Sequence, residues 1–314
     1  MRQIRRVLSL SLTIFLGIGG PAVAEWWEEP TPASAVREGG QETAPSGDPS
    51  EVWQVDWVGG SVRVMAGATA DMREVVNAAH ARSIALKTAR HLAYERLAEA
   101  VKGIRIDADS TYDRELLLDS NLRARVSALV RGARVIEERV TRADDGSIWA
   151  EVSVELPFHG EAQTLAGPTA HWALERGKIV RRSFERPAPA ARVVASEEAA
   201  PTGVVIDASG LGGSPAMLPR VLDADGHIVY GAGDVPSDFL VRHGLVGYAA
   251  SVADARESER AGPNPLVIRA LRMQGPNVVV SKADAERLLA ANDGEHLLDK
   301  CRVTLVLDKK GGEQ

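Results

Sequence analysis

Hydrophobic residues recur with helical spacing along two segments in the first half of the chain. The first segment runs from Asp71 to Lys102, and the second from Arg114 to Val130. Their apolar positions are Val75, Ala79, Leu86, Ala89, Ala93, Leu97 and Val101 in the first, and Leu118, Leu122, Val126 and Leu129 in the second. Intervals of three, four and seven place each set on one helix face. Glycine directly follows the first segment and soon follows the second, and glycine commonly ends helices, so the sequence predicts one helix in each segment.

Alternating apolar and polar residues predict strands around these helices. Ser61 to Met65 alternates before the first helix, and Ala133 to Val140 and Ser147 to Leu156 alternate after the second. The last two runs flank Asp144-Asp145-Gly146, and Asp-Gly between alternating runs is a strong hairpin signal. A sheet with one apolar face needs helices to cover it. We therefore expect an α+β domain over residues 52–158, in which long helices pack on an antiparallel sheet.

A second set of elements begins near residue 202, where strand and helix patterns alternate. The predicted strands are residues 204–207, 217–222, 227–230, 266–271, 277–280 and 302–307. Ser251 and Ser281 each open a capping-box pattern, which predicts a short helix. The alternation predicts a second, mixed α/β domain over residues 202–309. Residues 159–201 are then a connector with one helical turn near Trp172 and a linker-like second part, and residues 310–314 are a tail.

The first 24 residues have the three parts of a secretory signal peptide. Arg2, Arg5 and Arg6 precede the apolar run 7–18, and a small-residue cleavage site follows at Ala22-Val23-Ala24. A retained membrane anchor is the alternative, but the run is shorter than the roughly 20 apolar residues that span a bilayer. We therefore predict a periplasmic or otherwise exported protein, cleaved after Ala24. A disordered spacer over residues 25–50 follows, since this segment is polar and shows no hydrophobic periodicity.

Charge and cysteine content narrow the classes of function. The formal net charge of −6 becomes −9 when a leader with three arginines and no acid is removed. An acidic chain offers no counter-charge to phosphate, which argues against nucleic acid as a partner. Cys301 is the only cysteine, so no internal disulfide forms, and no cysteine follows the leader for acylation. We expect no lipid anchor, and a buried Cys301 rather than a nucleophile or an intermolecular bridge.

Polar motifs in the second domain match known ligand sites only in part. The run Asp223-Ala224-Asp225-Gly226-His227 has its glycine fourth rather than sixth and an aspartate at the twelfth position, so hairpin residues explain it better than calcium. The glycine-rich run 210–214 lacks the Gly-Lys-Ser/Thr of a phosphate loop and is interpreted as a flexible loop. His227 and His243, near Asp234 and Asp238, leave open a site in the stretch from Asp207 to His243.

Other candidate chemistry has a structural interpretation. No histidine pair has metal-ligand spacing, and the sequence contains neither Gly-x-Ser-x-Gly nor Ser-x-x-Lys. We therefore predict no catalytic residue, no cofactor and no metal site. The paired carboxylates, Asp107 with Asp109 and Asp144 with Asp145, lie in turn contexts. The basic cluster of Arg176, Lys178, Arg181 and Arg182 is interpreted as a solvated face, with binding to an acidic partner or an anionic envelope polymer as the alternative.

Residues Ala81 to Leu156 resemble the small domain shared by the twenty-kilodalton surface lipoprotein family and the N-terminal region of the flagellar assembly protein FlgT. The matching features are the alanine-rich helix from Ala81 to Leu97, the glycines that end both helices, and the hairpin that leads into residues 149–154. This resemblance covers about a quarter of the chain. It implies a bacterial envelope protein that binds other proteins or assembles on a larger structure. Family lipoproteins carry an acylated cysteine after the leader, so a soluble periplasmic member fits this chain better.

The sequence as a whole predicts a non-enzymatic, exported cell-envelope protein. Its expected role is that of an interaction or assembly module whose partners are envelope proteins, with an association with flagellar or surface structures implied by the resemblance. The alternative is a ligand-binding or hydrolytic envelope protein with a site in the second domain near Asp207–His243.

Overall fold

The computed structural model describes residues 53–70, 75–144, 146–185 and 200–308. All of them belong to one compact unit. They form an α+β arrangement followed by a mixed α/β arrangement, so the expected fold class is confirmed. The predicted leader with its cleavage site at Ala22 and Ala24, the spacer, most of the linker-like segment and the tail lie outside the described residues. The predicted domain limits at 158 and 202 stay predictions, and we refer to residues 53–158 and 203–308 as the first and second regions.

An antiparallel sheet with strand order β1-β2-β4-β3 forms the first region. Its strands are β1 (Trp53–Asp56), β2 (Ser61–Ala70), β3 (Arg134–Arg142) and β4 (Ile148–Pro157). Val152, Val154 and Leu156 of β4 are fully buried on one face, whereas Glu151 and Ser153 lie on the other. The alternation in the sequence therefore identifies the covered face correctly.

The long helix α1 (Ala78–Lys102) packs across that buried face, against β2 and β4. Alanine occupies every fourth position from Ala81 to Ala93, and all four side chains are fully buried. Such small side chains let the helix lie close to the sheet. The predicted start at Asp71 is too early, because Asn77 is extended and its side chain accepts a hydrogen bond from the backbone N–H of His80 (2.9 Å).

The predicted second helix is two helices, α2 (Tyr112–Leu118) and α3 (Ser120–Arg131). Asp119 separates them with an extended backbone, and its own N–H still bonds to the Glu115 carbonyl (2.9 Å). The Asp119 carboxylate accepts hydrogen bonds from the N–H groups of Asn121 and Leu122, both at 2.9 Å. A capping aspartate in the middle of the apolar pattern thus restarts the helix in a new direction.

The connector contains a ten-residue helix, α4 (Ala166–Glu175), where one turn is predicted around Trp172. The Trp172 ring is 2% exposed, and its Nε1 donates to the Glu115 carboxylate on α2 (3.2 Å). Burial of this side chain against the first region therefore supports more helix than its local sequence pattern indicates.

The second region contains eight short strands and three helices. In chain order the strands are β5 (Gly203–Asp207), β6 (Val221–Leu222), β7 (Ile228–Tyr230), β8 (Gly247–Ala249), β9 (Pro265–Arg269), β10 (Arg272–Gln274), β11 (Asn277–Val279) and β12 (Val303–Val306), and the helices are α5 (Ser237–His243), α6 (Val252–Glu257) and α7 (Lys282–Glu295). One sheet is parallel with order β8-β12-β5-β9, and the other is mixed with order β10-β11-β6-β7.

Two local predictions for the second region are confirmed. The Ser251 and Ser281 hydroxyls accept hydrogen bonds from the N–H groups of Asp254 (3.1 Å) and Asp284 (3.0 Å), which caps α6 and α7 as the sequence pattern predicts. The second helix has 14 residues and is longer than the short helix expected there. Strands β6 and β7 pair antiparallel around the Asp223–Gly226 turn. Among the described helices, none has the length and hydropathy that crossing a bilayer requires.

Main-chain hydrogen bonds join the two regions. Met217 and Leu218 donate to the carbonyls of Arg105 (3.0 Å) and Ile106 (2.7 Å), and Gly160 donates to Val241 (3.1 Å). Aromatic contact continues the junction, since the ring of Trp57 in the first region lies 5.6 Å from that of Tyr248 in the second. The loop between β1 and β2 and the end of β4 therefore lie directly against the second region.

Candidate functional site

Two neighbouring pockets lie at this junction. The first, called the sheet chamber, has a volume of about 380 Å³ and is lined by first-region and connector residues that include Ser61, Arg134 and Glu155. The second, called the arginine chamber, has a volume of about 150 Å³ and is lined from both regions, with Arg260 and Thr304 among its polar residues. Gly60 and His159 line both, so we call the two pockets together the junction cleft. The volume of the sheet chamber falls in the range of small-molecule sites.

His159 directly follows the last strand of the first sheet, and glycines face it from both regions. A Cβ on Gly60 would lie 2.9 Å from its Nε2, and a Cβ on Gly244 would lie 2.9 Å from its Cδ2. Both glycines have positive φ, +68° and +70°, which side-chain-bearing residues rarely adopt. Two glycines distant in sequence therefore make the space for this imidazole.

Burial is the main reason that the pKa of His159 falls to about 4, and the positive charge of Arg260 lowers it further. The imidazole is consequently neutral at pH 7, and it offers one nitrogen donor and one nitrogen acceptor. Because His159 is neutral, Arg260 carries the positive charge among the residues that line the arginine chamber.

Arg260 lies beneath the C-terminal end of α5. Its Nη1 donates to the carbonyls of Cys301 (2.5 Å) and Gly244 (3.4 Å), and its Nη2 donates to the carbonyl of His243. A cation at this position suits the partial negative charge of a helix C-terminus. Burial lowers its pKa from the ordinary value, but an arginine remains protonated at physiological pH.

Thr304 of β12 is a further polar residue of the arginine chamber. It is 2% exposed, and its hydroxyl has no hydrogen-bond partner among the described residues. Burying a hydroxyl without a partner costs roughly 1–3 kcal/mol. This cost singles out Thr304 among the polar side chains of the cleft.

Glu155 is the acidic group of the sheet chamber. Its carboxylate accepts hydrogen bonds from Arg63 Nε (2.8 Å), from Arg134 and from the Ser61 hydroxyl (3.3 Å). The hydrogen bond from Arg63 is the largest reason that the pKa of Glu155 is lowered, and burial opposes it. Arg63 and Arg134 are its cross-strand neighbours on β2 and β3, so sheet register assembles this ionised group.

The sequence left open a site in the stretch from Asp207 to His243. In the structure the candidate residues of this stretch lie in separate places. Asp207, at the end of β5, accepts hydrogen bonds from the Ser209 N–H (3.0 Å) and hydroxyl (2.6 Å) and pairs with Arg269. The Gly210 N–H donates to the Asp308 carboxylate (2.8 Å), so the glycine-rich loop holds an anion from its own chain. His243, by contrast, lies beside the junction cleft through its carbonyl bond to Arg260.

The Asp223–His227 turn brings three possible ligand atoms within 4.8 Å of one another. Internal partners already hold these groups: Asp223 accepts hydrogen bonds from His227 N–H (2.7 Å) and from Nδ1 of the same residue (3.1 Å). Burial raises the pKa of Asp223, but the hydrogen bonds from His227 outweigh it and the net shift is downward. The ammonium group of Lys282 lies 2.5 Å from Asp225, so a protein cation already occupies this acidic turn. Hairpin structure accounts for the motif.

The basic cluster in the connector pairs with acidic residues of both regions. Arg176 lies 3.4 Å from Asp119, Lys178 lies 3.5 Å from Asp107, and Arg182 lies 3.7 Å from Asp234. Arg181 is exposed. Three of the four residues therefore pair with acidic residues of the same chain instead of forming the wholly solvated face expected from the sequence.

Cys301 is buried, as predicted, with 1% of its surface exposed. Burial raises the pKa of its thiol to about 11, and its backbone has a positive φ of +57°. The thiol is therefore protonated and weakly nucleophilic at neutral pH.

Sequence patterns did not identify His159, Arg260 or Thr304. These residues are distant along the chain, and each belongs to an ordinary local pattern: a strand end, a loop and a strand. The available signal was indirect, in the glycines at 60, 244 and 247 that make space for His159 and Arg260. Their role is visible only once the two regions are placed together.

Comparison with known families identifies the second region rather than the first. Residues 203–309, about a third of the chain, match the family model described as Treponema pallidum Tp0624, second domain. No curated protein is significantly similar to the chain. The expected membership of the twenty-kilodalton lipoprotein and FlgT-like families is wrong, since the family model that matches is a different one and covers another part of the chain. Helix-on-hairpin patterns of small apolar residues recur across unrelated folds, which explains the misleading resemblance.

Proposed function

We propose that this chain is an exported, non-enzymatic protein of the cell envelope that acts as an interaction or assembly module. The observation that carries the proposal is the exposure of three leucines on two helices that bond to each other. Leu117 and Leu118 of α2 are 72% and 61% exposed, and Leu174 of α4 is 65% exposed. Leu117 and Leu118 are adjacent in sequence, and an exposed apolar patch is typical of a partner-binding site.

The contacts between α2 and α4 support a shared surface. Tyr112 bonds to Thr169, Glu115 accepts from Trp172 (3.2 Å), and Asp119 pairs with Arg176 (3.4 Å). Each pair is separated by 57 residues, so the two helices run parallel and in register. Leu117 and Leu174 have the same separation and lie at the same level, but each is on the side of its helix that faces away from the other helix. A partner that contacts both leucines therefore reaches around the helix pair. Burying each leucine against a partner gains about 2 kcal/mol.

The contacts that hold the two regions together also fit an assembly role. The main-chain bonds at the junction and the ion pairs of the connector hold the two regions in one arrangement. A partner that binds α2 and α4 would thus meet a preorganised surface, which reduces the entropic cost of binding.

Site-specific photo-crosslinking in cells tests the interaction. A photoreactive residue at position 117 or 174 should yield the same crosslinked envelope protein, while one at Leu271, an exposed leucine of the second region (52%), should not. The double substitution Leu117→Ser and Leu174→Ser should abolish the crosslink from a probe at position 118. Because both residues are exposed, it should change the free energy of unfolding by less than about 0.5 kcal/mol each. Equal crosslinking from positions 117, 174 and 271 would contradict the proposal.

Export is tested separately by fractionation and mass measurement. The proposal expects the protein in the periplasmic fraction or outside the cell, with a mass that corresponds to cleavage between Ala24 and Glu25. If the protein is found in the cytoplasm with residues 2–24 still attached, the proposed location in the cell envelope is contradicted.

One observation favours the ligand-binding alternative, namely the junction cleft next to His243. The hydrolytic form of that alternative gains no support from the contacts of Asp207, Asp223 and Asp234. Each of these carboxylates is held by hydrogen bonds from neighbouring residues of the same chain.

A further inference from the structure

Arg260 carries a largely buried charge, and no carboxylate of the described part of the chain forms an ion pair with it. Among the described residues, its guanidinium donates only to main-chain carbonyls, those of His243, Gly244 and Cys301. These bonds use three of the five N–H donors of an arginine. The Nε–H and one Nη2–H have no acceptor among the described residues, and the N–H donors of a guanidinium suit the oxygens of a carboxylate or a phosphate group.

The backbone of Gly247 packs closely beside Arg260 in the same chamber. A Cβ at position 247 of β8 would lie 2.8 Å from Arg260 Nε. Any side chain there would press on the arginine, so glycine gives Arg260 the room to lie in the chamber.

Thr304 supplies an independent indication of a ligand. Its buried hydroxyl lines the arginine chamber and has no partner among the described residues. A hydroxyl in that position can donate to an anionic oxygen held by Arg260. The chamber volume of about 150 Å³ corresponds to roughly five water molecules, which is enough for an oxyanion group.

Charge in the cleft differs in sign from charge over the chain. The formal net charge of the protein is −6. The charged side chains that line the two chambers are Arg134, Glu155 and Arg260, which leaves one net positive charge while His159 is neutral. A local positive potential in a cleft attracts anions.

We propose that the arginine chamber binds an oxyanion group, a carboxylate or a phosphate, of a small ligand. Arg260 holds the group through two N–H donors, and the Thr304 hydroxyl donates a further hydrogen bond. This inference goes beyond the proposed interaction module and does not depend on it, because α2 and α4 contribute no residue to the chamber.

Titration calorimetry of the purified protein with inorganic phosphate and with acetate tests the proposal. Sodium chloride keeps the ionic strength constant, so a non-specific charge effect cancels. We expect saturable binding with a Kd on the order of 1 mM, since such small ions offer few atoms for contact. The tighter of the two anions identifies the oxyanion of the natural ligand.

Three variants distinguish the site from a structural role of the same residues. Arg260→Lys keeps the charge but loses the paired donors, and it should weaken anion binding about tenfold. Thr304→Val should raise the melting temperature without anion and weaken anion binding severalfold, because it removes an unpaired hydroxyl that the anion uses. Arg302→Lys is the control: Arg302 also donates to a main-chain carbonyl, that of Thr202 (2.8 Å), and does not line the cleft.

Two results would overturn the inference. One is the lack of saturable binding of both anions up to about 50 mM at constant ionic strength. The other is binding by Thr304→Val that equals binding by the wild-type protein. Thr304→Val decides the matter even if Arg260→Lys fails to fold, since valine has nearly the shape of threonine.

Discussion

His159 shows how the junction controls the chemistry of a single residue. The glycines at 60 and 244 leave space for its ring, and Arg260 lies near enough to disfavour a second positive charge. Because burial and this cation both oppose protonation, folding keeps the imidazole neutral. The same residue on an exposed strand would titrate near its ordinary value.

A lowered pKa at His159 makes stability depend on pH. The pKa is about 4 in the folded protein against an ordinary value of 6.5, so the unfolded chain binds more protons between these values. This contribution to stability is fully present above pH 6.5 and is lost as the pH falls toward 4. Urea unfolding at pH 7.5 and 4.5 should show that His159→Gln loses roughly 2 kcal/mol less than the wild-type protein over this interval. An equal loss of unfolding free energy in both proteins would show that a group other than His159 takes up the proton.

Glu155 should contribute more to stability than other acidic residues of the first sheet. The substitution Glu155→Gln leaves Arg63 and Arg134 without their shared anion. It should lower the free energy of unfolding by about 1 kcal/mol, a modest value because both arginines are largely exposed. Glu151→Gln is the matched control on the same strand, since Glu151 lies 3.6 Å from Arg139. It should change the free energy of unfolding by less than about 0.5 kcal/mol. Denaturant titration measures both, and equal effects would contradict the argument.

At the scale of elements, the sequence identifies the type of an element better than its limits. Periodicity located α1, but Asn77 sets its first residue by capping. The same periodicity merged α2 and α3, because a polar residue within an apolar stripe resembles an exposed helix position. Asp119 instead ends one helix and caps the next, a distinction that depends on the backbone angle at a single residue. Trp172 shows the opposite error, since tertiary burial extends a helix beyond its local signal.

Asp119→Ala should destabilise the protein by about 1 kcal/mol, because two N–H groups of α3 lose their acceptor. Loss of the ion pair with Arg176 adds little, since that arginine is exposed at the surface. Asp113→Ala, an exposed position on α2, serves as the control and should lie within about 0.5 kcal/mol of the wild-type protein. Thermal denaturation followed by circular dichroism measures both variants, and equal midpoints would exclude capping as the function of Asp119.

At the scale of the whole molecule, the junction makes two differently built regions depend on each other. Backbone donors of the second region bond to carbonyls of the first, a connector N–H bonds to the second region, and these bonds would be lost if one region unfolded alone. We therefore expect one cooperative transition. All six tryptophans precede residue 203, so their fluorescence follows the part of the chain before the second region, while far-UV circular dichroism follows both regions. The two midpoints should coincide, and a separate fluorescence transition would contradict the prediction.

Two glycine variants extend this test. Gly244→Ala should lower both midpoints more than Gly226→Ala does, although both positions have positive φ. A Cβ at position 244 meets His159 across the junction, whereas a Cβ at position 226 meets nothing within 4 Å.

The sequence by itself determined those features that depend on neighbours along the chain. Strand alternation, the hairpins, the serine caps, the fold class and the burial of Cys301 all follow from local patterns of polarity and turn chemistry. The resemblance to a lipoprotein family failed, because patterns of small apolar residues record packing needs rather than ancestry. Only the tertiary structure decided where the junction cleft lies and which residues line it. His159, Arg260 and Thr304 come together through contacts between segments about 40 to 145 residues apart, and no short-range pattern encodes such contacts. The availability of Arg260 and Thr304 for a ligand depends on the groups that surround them, and only folding brings those groups together.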